Sequence, residues 1–146
     1  MKFWDSSAII PLLLEDAHTS ESRKIFHQDP AMLVWWLADV ECVSGICRLE
    51  RMGHLSLEDA EEALDRLRQL RQHWHEVQPV EPVKEWATRL LRVHRLRAAD
   101  ALQLAAAFVA SEGHPATLDF VCFDRLLRES AQREGFRLYP GKLRRT

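Results

Sequence analysis

The sequence predicts an α/β fold with a parallel central sheet, and three observations carry that reading. Short apolar runs of strand length alternate with helical patterns from end to end. Two of the runs, Met32 to Trp36 and Leu118 to Phe123, are almost continuously apolar, as expected of strands covered on both faces. No internal repeat, linker or low-complexity tract breaks the alternation. Such a pattern packs helices onto a parallel sheet, and ligands of such folds bind outside the carboxyl ends of the strands.

The elements follow in order. Lys2 to Trp4 is a short apolar opening that ends at Asp5. Ser6 to Leu14 reads as a helix capped by Ser6 or Ser7, with Pro11 early in it. Thr19 to Gln28 reads as a surface helix, broken by Asp29-Pro30. After the strand at Met32, Val40 to Met52 is helical and Gly53 stops it. Ser56 to His73 is the clearest helix. Ser56 caps it, acids fill its first turns where the dipole favours anions, and Leu57, Ala60, Leu64, Leu67 and Leu70 form one apolar stripe. Glu76 to Val80 is a weaker strand signal, and Pro82 opens a helix running to about His94. Ala98 to Ala110 is apolar nearly all round, the mark of a buried central helix. Arg125 to Glu134 is a helix stopped by Gly135, and Phe136 to Tyr139 is a last strand. Residues 1–141 are expected to form one domain. Residues 142–146, with Lys142, Arg144 and Arg145, are expected to be a mobile basic tail.

Composition sets the outer limits. The chain has 146 residues, 47% hydrophobic and 29% charged, enough to bury a core without disulfides or a structural metal. No apolar run approaches the roughly 18 residues of a membrane span. The opening MKFWDSSAII carries an acid at its fifth residue, unlike a secretory signal. Cys42, Cys47 and Cys122 are an odd set without CxxC spacing, which argues against a disulfide framework or zinc ribbon and for a reducing cytoplasm. A net charge of −2 argues against a purely electrostatic nucleic-acid binder.

The acids are the informative residues. Asp5 and Asp124 each stand just past an apolar strand. Glu41 and Asp100 each lie in the first turn of a helix. All four therefore belong at the carboxyl rim of the sheet. Taken singly, Asp5 and Asp124 read as helix caps and Glu41 as an acid serving the dipole. Asp100 opens a helix so apolar that its carboxylate needs a partner, a proton or a metal. Four carboxylates together repel and raise one another's pKa, and a divalent cation removes the conflict. An all-oxygen site suits Mg²⁺ or Mn²⁺ rather than zinc, and such ions support phosphodiester hydrolysis.

At these residues the sequence resembles the PIN-domain superfamily, and within it the VapC toxins of type II toxin–antitoxin systems. The anchors are Phe3-Trp4-Asp5-Ser6-Ser7-Ala8, Asp39-Val40-Glu41, the stretch from Leu96 through Asp100 to Ala105, and Cys122-Phe123-Asp124-Arg125-Leu126-Leu127. The resemblance spans essentially the whole chain. It implies a PIN-like three-layer α/β/α sandwich with a central parallel sheet of about four to five strands. It implies a Mg²⁺- or Mn²⁺-dependent endoribonuclease with Asp5, Glu41, Asp100 and Asp124 as catalytic and metal-holding residues and Ser7 supporting the site. It further implies structured RNA such as tRNA or ribosomal RNA as substrate, a VapB-like antitoxin as partner, and a homodimer. Three departures stand out: Trp4 where relatives carry a smaller aliphatic residue, Cys122 in place of Thr or Ser, and Gln103 where many carry His. They read as changes of packing and of the groups behind the site.

Asp119 is a rival for the fourth acid, disfavoured because it precedes its strand. Arg95, Arg97, Arg125 and Arg128 flank the acids and read either as RNA phosphate contacts or as solvated arginines. Trp35 and Trp36 point to opposite faces, so at least one belongs to the core. The alternatives are a non-catalytic PIN-like interaction module, or a PIN nuclease of RNA processing or DNA. A phospho-receiver domain is disfavoured, because no acid neighbours Asp5 in Lys2-Phe3-Trp4 and no lysine follows Phe136 to Tyr139 except Lys142 in the tail.

Overall fold

A computed structural model describes residues 1–143, so Arg144 and Arg145 of the expected tail lie outside the described residues. The strands are β1 (Lys2–Trp4), β2 (Met32–Trp35), β3 (His75–Val77), β4 (Asp119–Val121) and β5 (Arg137–Tyr139). The helices are α1 (Ser6–Leu13), α2 (Thr19–Gln28), α3 (Ala38–Arg51), α4 (Leu57–Arg71), α5 (Glu81–Val93), α6 (Ala98–Ala110) and α7 (Arg125–Arg133). A short 3₁₀ turn, Pro115–Thr117, leads into β4.

All strand pairs are parallel, in the order β3-β2-β1-β4-β5. Phe3 pairs with Leu33 on one side and Phe120 on the other, so β1 is central. The chain builds β2 and β3 on one side of β1, then crosses to build β4 and β5 on the other. The carboxyl ends of β1 and β4 therefore flank the point where winding reverses, the usual place for a ligand crevice.

Successive strand residues face opposite layers. Phe3, Trp35, Val77 and Phe120 pack against α5, α6 and α7. Trp4, Met32, Val34 and Val121 pack against α1, α2, α3 and α4. This is the expected three-layer sandwich, with five strands. Trp4 is wholly buried, so the larger side chain is absorbed by the core. In α6, the buried alanines 101, 105, 106 and 107 let the helix lie close to sheet and α5, with Leu104 fully buried among them. Gly45 of α3 faces Ile10 of α1 so closely that an added Cβ would sit 2.7 Å from Ile10 Cδ1. Gly53 and Gly135 take positive φ (79° and 104°), the left-handed stops expected after α3 and α7.

Some boundaries differ from the sequence reading. The cap of α1 is Asp5, not Ser6 or Ser7, because its carboxylate accepts the Ser7 N–H while both serines already sit inside the helix. Helix α3 begins at Ala38, two residues earlier than expected, without a side-chain cap. Strand β3 ends at Val77, ahead of Pro79, which has no N–H to give a ladder. Strand β4 starts at Asp119 because the 3₁₀ turn occupies the residues before it.

Candidate active site

Asp5 leaves the central strand at its carboxyl end and is 3% exposed. Its N–H donates to Val121 O (3.0 Å), which anchors the start of α1 to β4. Its Oδ2 accepts from Ser7 N–H (3.2 Å), Ser7 Oγ (2.5 Å) and Cys122 Sγ (3.4 Å). All of these bonds fall on Oδ2, so Oδ1 is the oxygen left for an outside partner. Ser7 Oγ also accepts from the N–H groups of Phe123 (2.9 Å) and Asp124 (3.3 Å). One hydroxyl thus ties the Asp5 turn to the Asp124 turn.

Asp124 caps α7, its Oδ1 accepting the Leu127 N–H at 3.0 Å, and its side chain is exposed. Asp5 and Asp124 are therefore caps and rim acids at once. Glu41 reaches across from α3, where its Oε2 accepts from Gln103 Nε2 of α6 (2.8 Å). Gln103 is fully buried, and its Oε1 has no hydrogen-bond partner among the described residues. Asp100 sits half-buried in the first turn of α6. Asp39, two residues before Glu41, turns away and pairs with Arg71 of α4 (2.8 Å).

Electrostatics binds the four acids into one group. Burial raises the Asp5 carboxyl above its ordinary value, its hydrogen bonds oppose that, and Asp124 raises it further. Glu41 is pushed up to about 7, first by burial and then by Asp5 and Asp100, against the bond from Gln103. Asp100 is pushed up to about 6 by burial, then by Asp124 and Asp5, with Arg97 opposing. Glu41 and Asp100 each feel two of the other acids, and Asp5 feels Asp124.

No group of three His, Cys, Asp or Glu side chains among the described residues is arranged to hold a metal ion unaided. That does not conflict with a Mg²⁺-type site. Mg²⁺ keeps much of its water and is held by one or two carboxylates, so a ready-made cage of three is not required. The all-oxygen donor set and the mutually raised carboxyls fit such an ion.

The other expectations separate cleanly. Asp119 begins β4 and so lies at the opposite rim, paired with Lys2 (3.4 Å) and Arg137 (3.0 Å). Arg128 is corrected: it is buried, donating to Cys122 O (2.7 Å) and Pro140 O (2.6 Å), and cannot meet RNA there. Arg95, Arg97 and Arg125 are exposed. Trp35 is buried and Trp36 is exposed. The Gln103 bond to Glu41 went unnamed by the sequence, although its departure from His had marked the position.

The chain is thus an α/β protein with carboxylates gathered at the switch point of a five-stranded parallel sheet. The family model for the PIN domain matches residues 2–129, and the chain belongs to that family. It is 31% identical over 144 residues to Ribonuclease VapC45 of Mycobacterium tuberculosis strain CDC 1551 / Oshkosh, covering 97% of this chain and 96% of the relative. Ribonuclease VapC49 of Mycobacterium tuberculosis strain ATCC 25618 / H37Rv matches with the same identity and coverage. A toxin–antitoxin complex from Klebsiella pneumoniae shares the fold, with a TM-score of 0.61 at 14% identity over 85% of this chain and 87% of that one.

Proposed function

We propose that this chain is a Mg²⁺- or Mn²⁺-dependent endoribonuclease of the VapC type, the toxin of a VapBC-like pair. The observation that carries the reading is the group of four carboxylates, Asp5, Glu41, Asp100 and Asp124, at the switch point of the sheet, with Asp5, Glu41 and Asp100 raised by burial and by neighbouring acids of the group. The ribonuclease relatives, alike over almost the full length of both chains, support it.

Bound among these acids, the cation would supply positive charge that offsets theirs and activates water against a phosphodiester. Asp5 would offer Oδ1 while Ser7 and Cys122 hold Oδ2. Gln103 would fix Glu41, and the α6 backbone would fix Asp100. A carboxylate that does not meet the cation directly is left to take the proton of the attacking water. The reading includes RNA such as tRNA or ribosomal RNA as substrate, a VapB-like antitoxin, a homodimer and a cytoplasmic setting. The Klebsiella complex supports the antitoxin. No helix among the described residues is long and apolar enough to cross a membrane.

The test is cleavage of total RNA with and without Mg²⁺ or Mn²⁺, comparing the wild type with Asp5→Asn. Asn keeps the shape of Asp and removes one charge. Discrete metal-dependent fragments that vanish in the variant are expected. Cleavage that persists in the variant would place the chemistry elsewhere. Folded, metal-supplied protein that leaves RNA whole would favour the interaction module.

A further inference from the structure

A cleft of about 340 Å³ opens between the end of α5 and the outer face of α7. Val93, His94 and Arg95 form one wall, and Leu126, Glu129 and Arg133 are on the other. Both walls lead to the acids. Arg95 continues through Arg97 into α6 and Asp100, while Leu126 lies in the first turn after the Asp124 cap.

The charges in the cleft are unequal in their commitments. Glu129 faces Arg125 (3.4 Å), and Glu134 just behind faces His94 (2.8 Å). Arg95 and Arg133 have no ion pair among the described residues. Beside these two free cations, Val93 and Leu126 are 62% and 56% exposed. Paired acids, free arginines and bare aliphatic side chains suit a ligand with anionic groups and flat apolar faces. A single-stranded nucleic acid has both, since phosphates take the arginines and bases lie on apolar side chains.

We propose that this cleft holds the RNA strand flanking the phosphate to be cut, with Arg95 and Arg133 on its phosphates and Val93 and Leu126 under its bases. The proposal rests on the ribonuclease reading. A strand with one phosphate at the acids must leave along the surface, and this cleft, with its two unpaired arginines, is walled by residues that stand just before Asp100 and just after Asp124 in the chain. An acidic protein segment is the competing occupant, disfavoured by the continuity with the acids.

The test measures binding of a short, fluorescein-labelled, random-sequence single-stranded RNA to the metal-free protein by anisotropy across a KCl series. The comparison is wild type, Arg95→Ala/Arg133→Ala, and a charge-matched control, Arg48→Ala/Arg51→Ala, at the far end of α3. Neither cleft arginine makes an ion pair among the described residues, so the variant should fold, and thermal unfolding checks that it does. Removing both should weaken binding about tenfold and flatten the log–log salt slope by about 1.4, at about 0.7 per phosphate contact on a single strand. The control should keep the wild-type slope. If the cleft variant binds with the wild-type affinity and slope while the wild type still cuts RNA, the cleft assignment fails and the ribonuclease reading stands. A wild type that neither binds nor cuts RNA overturns both.

Discussion

The two rims of the sheet hold the same residue type in opposite circumstances. At the amino rim, Asp29 faces the Met1 amino group (2.7 Å) and Lys2 (3.8 Å), and Asp119 faces Lys2 and Arg137. The bond from the amino terminus holds the Asp29 carboxyl below its ordinary value. At the carboxyl rim, Asp5, Glu41 and Asp100 are all raised, by burial first and then by neighbouring acids of the rim, Asp124 among them. Aspartates that serve structure come with their cations built in. The carboxyl-rim group has helix caps, Ser7 and Gln103 to hold its shape, while Arg97 is the cation among the described residues that lowers one of its raised carboxyls, that of Asp100. On the proposed function, acids held in place yet short of positive charge would be offset by a cation that comes from outside.

The strongest way to break this contrast is to make the same substitution at both rims. Asp100→Asn should reduce metal-dependent RNA cleavage by more than the roughly 100-fold seen when groups merely behind a metal site are lost. Asp119→Asn should leave cleavage unchanged. Equal losses in a cleavage time course would erase the distinction between the rims.

Next in size is Gln103→Leu, which keeps bulk and removes the donor to Glu41. It should weaken Mn²⁺ affinity by about 10-fold to 100-fold, with Gln103→His, which restores a donor, recovering part of the loss. Unchanged Mn²⁺ affinity in calorimetry would reduce Gln103 to packing.

A smaller effect concerns the stability of the metal-free protein. The folded pKa of Glu41 is about 7 against an ordinary 4.5, and that of Asp100 about 6 against 3.8. Between those values the folded chain binds more protons than the unfolded one, so stability falls as pH rises through about 4 to 7. Glu41→Gln should therefore raise the Tm by a few degrees at pH 8 and by much less at pH 4.5. A variant less stable than wild type at pH 8 would mean that the Glu41 charge is welcome where it lies. Smallest is the effect of Asp119→Asn on stability, which should cost no more than about 1 kcal/mol in urea melts, as for other pairs near the surface.

The carboxyl rim was legible because Asp5 and Asp124 directly follow apolar strands, and Glu41 and Asp100 open helices. In a parallel sheet those positions share one edge whatever the loops do. Asp119 was placed correctly by the same logic. What the order of residues could not show was depth. Arg128 looks like any solvated arginine, yet it is buried to serve the carbonyls of Cys122 and Pro140, which need donors beyond the sheet. Gln103 lies in an apolar helix, and its bond to Glu41 spans 62 residues of sequence. The cap of α1 was misplaced because a serine pair looks like a cap, and the acid before it had been reserved for the site. Asp5 does both.

The central claim is that the carboxyl-rim acids are kept for a divalent cation, and titration calorimetry of the folded protein with Mn²⁺ tests it most directly. Run from pH 5.5 to 8 in buffers of different ionisation heat, it reports both affinity and protons released. The account predicts one saturable process whose affinity climbs with pH, releases protons near pH 6.5 as Glu41 and Asp100 give theirs up, and is lost in Asp5→Asn. Binding that is absent, independent of pH, or unchanged in Asp5→Asn would contradict it.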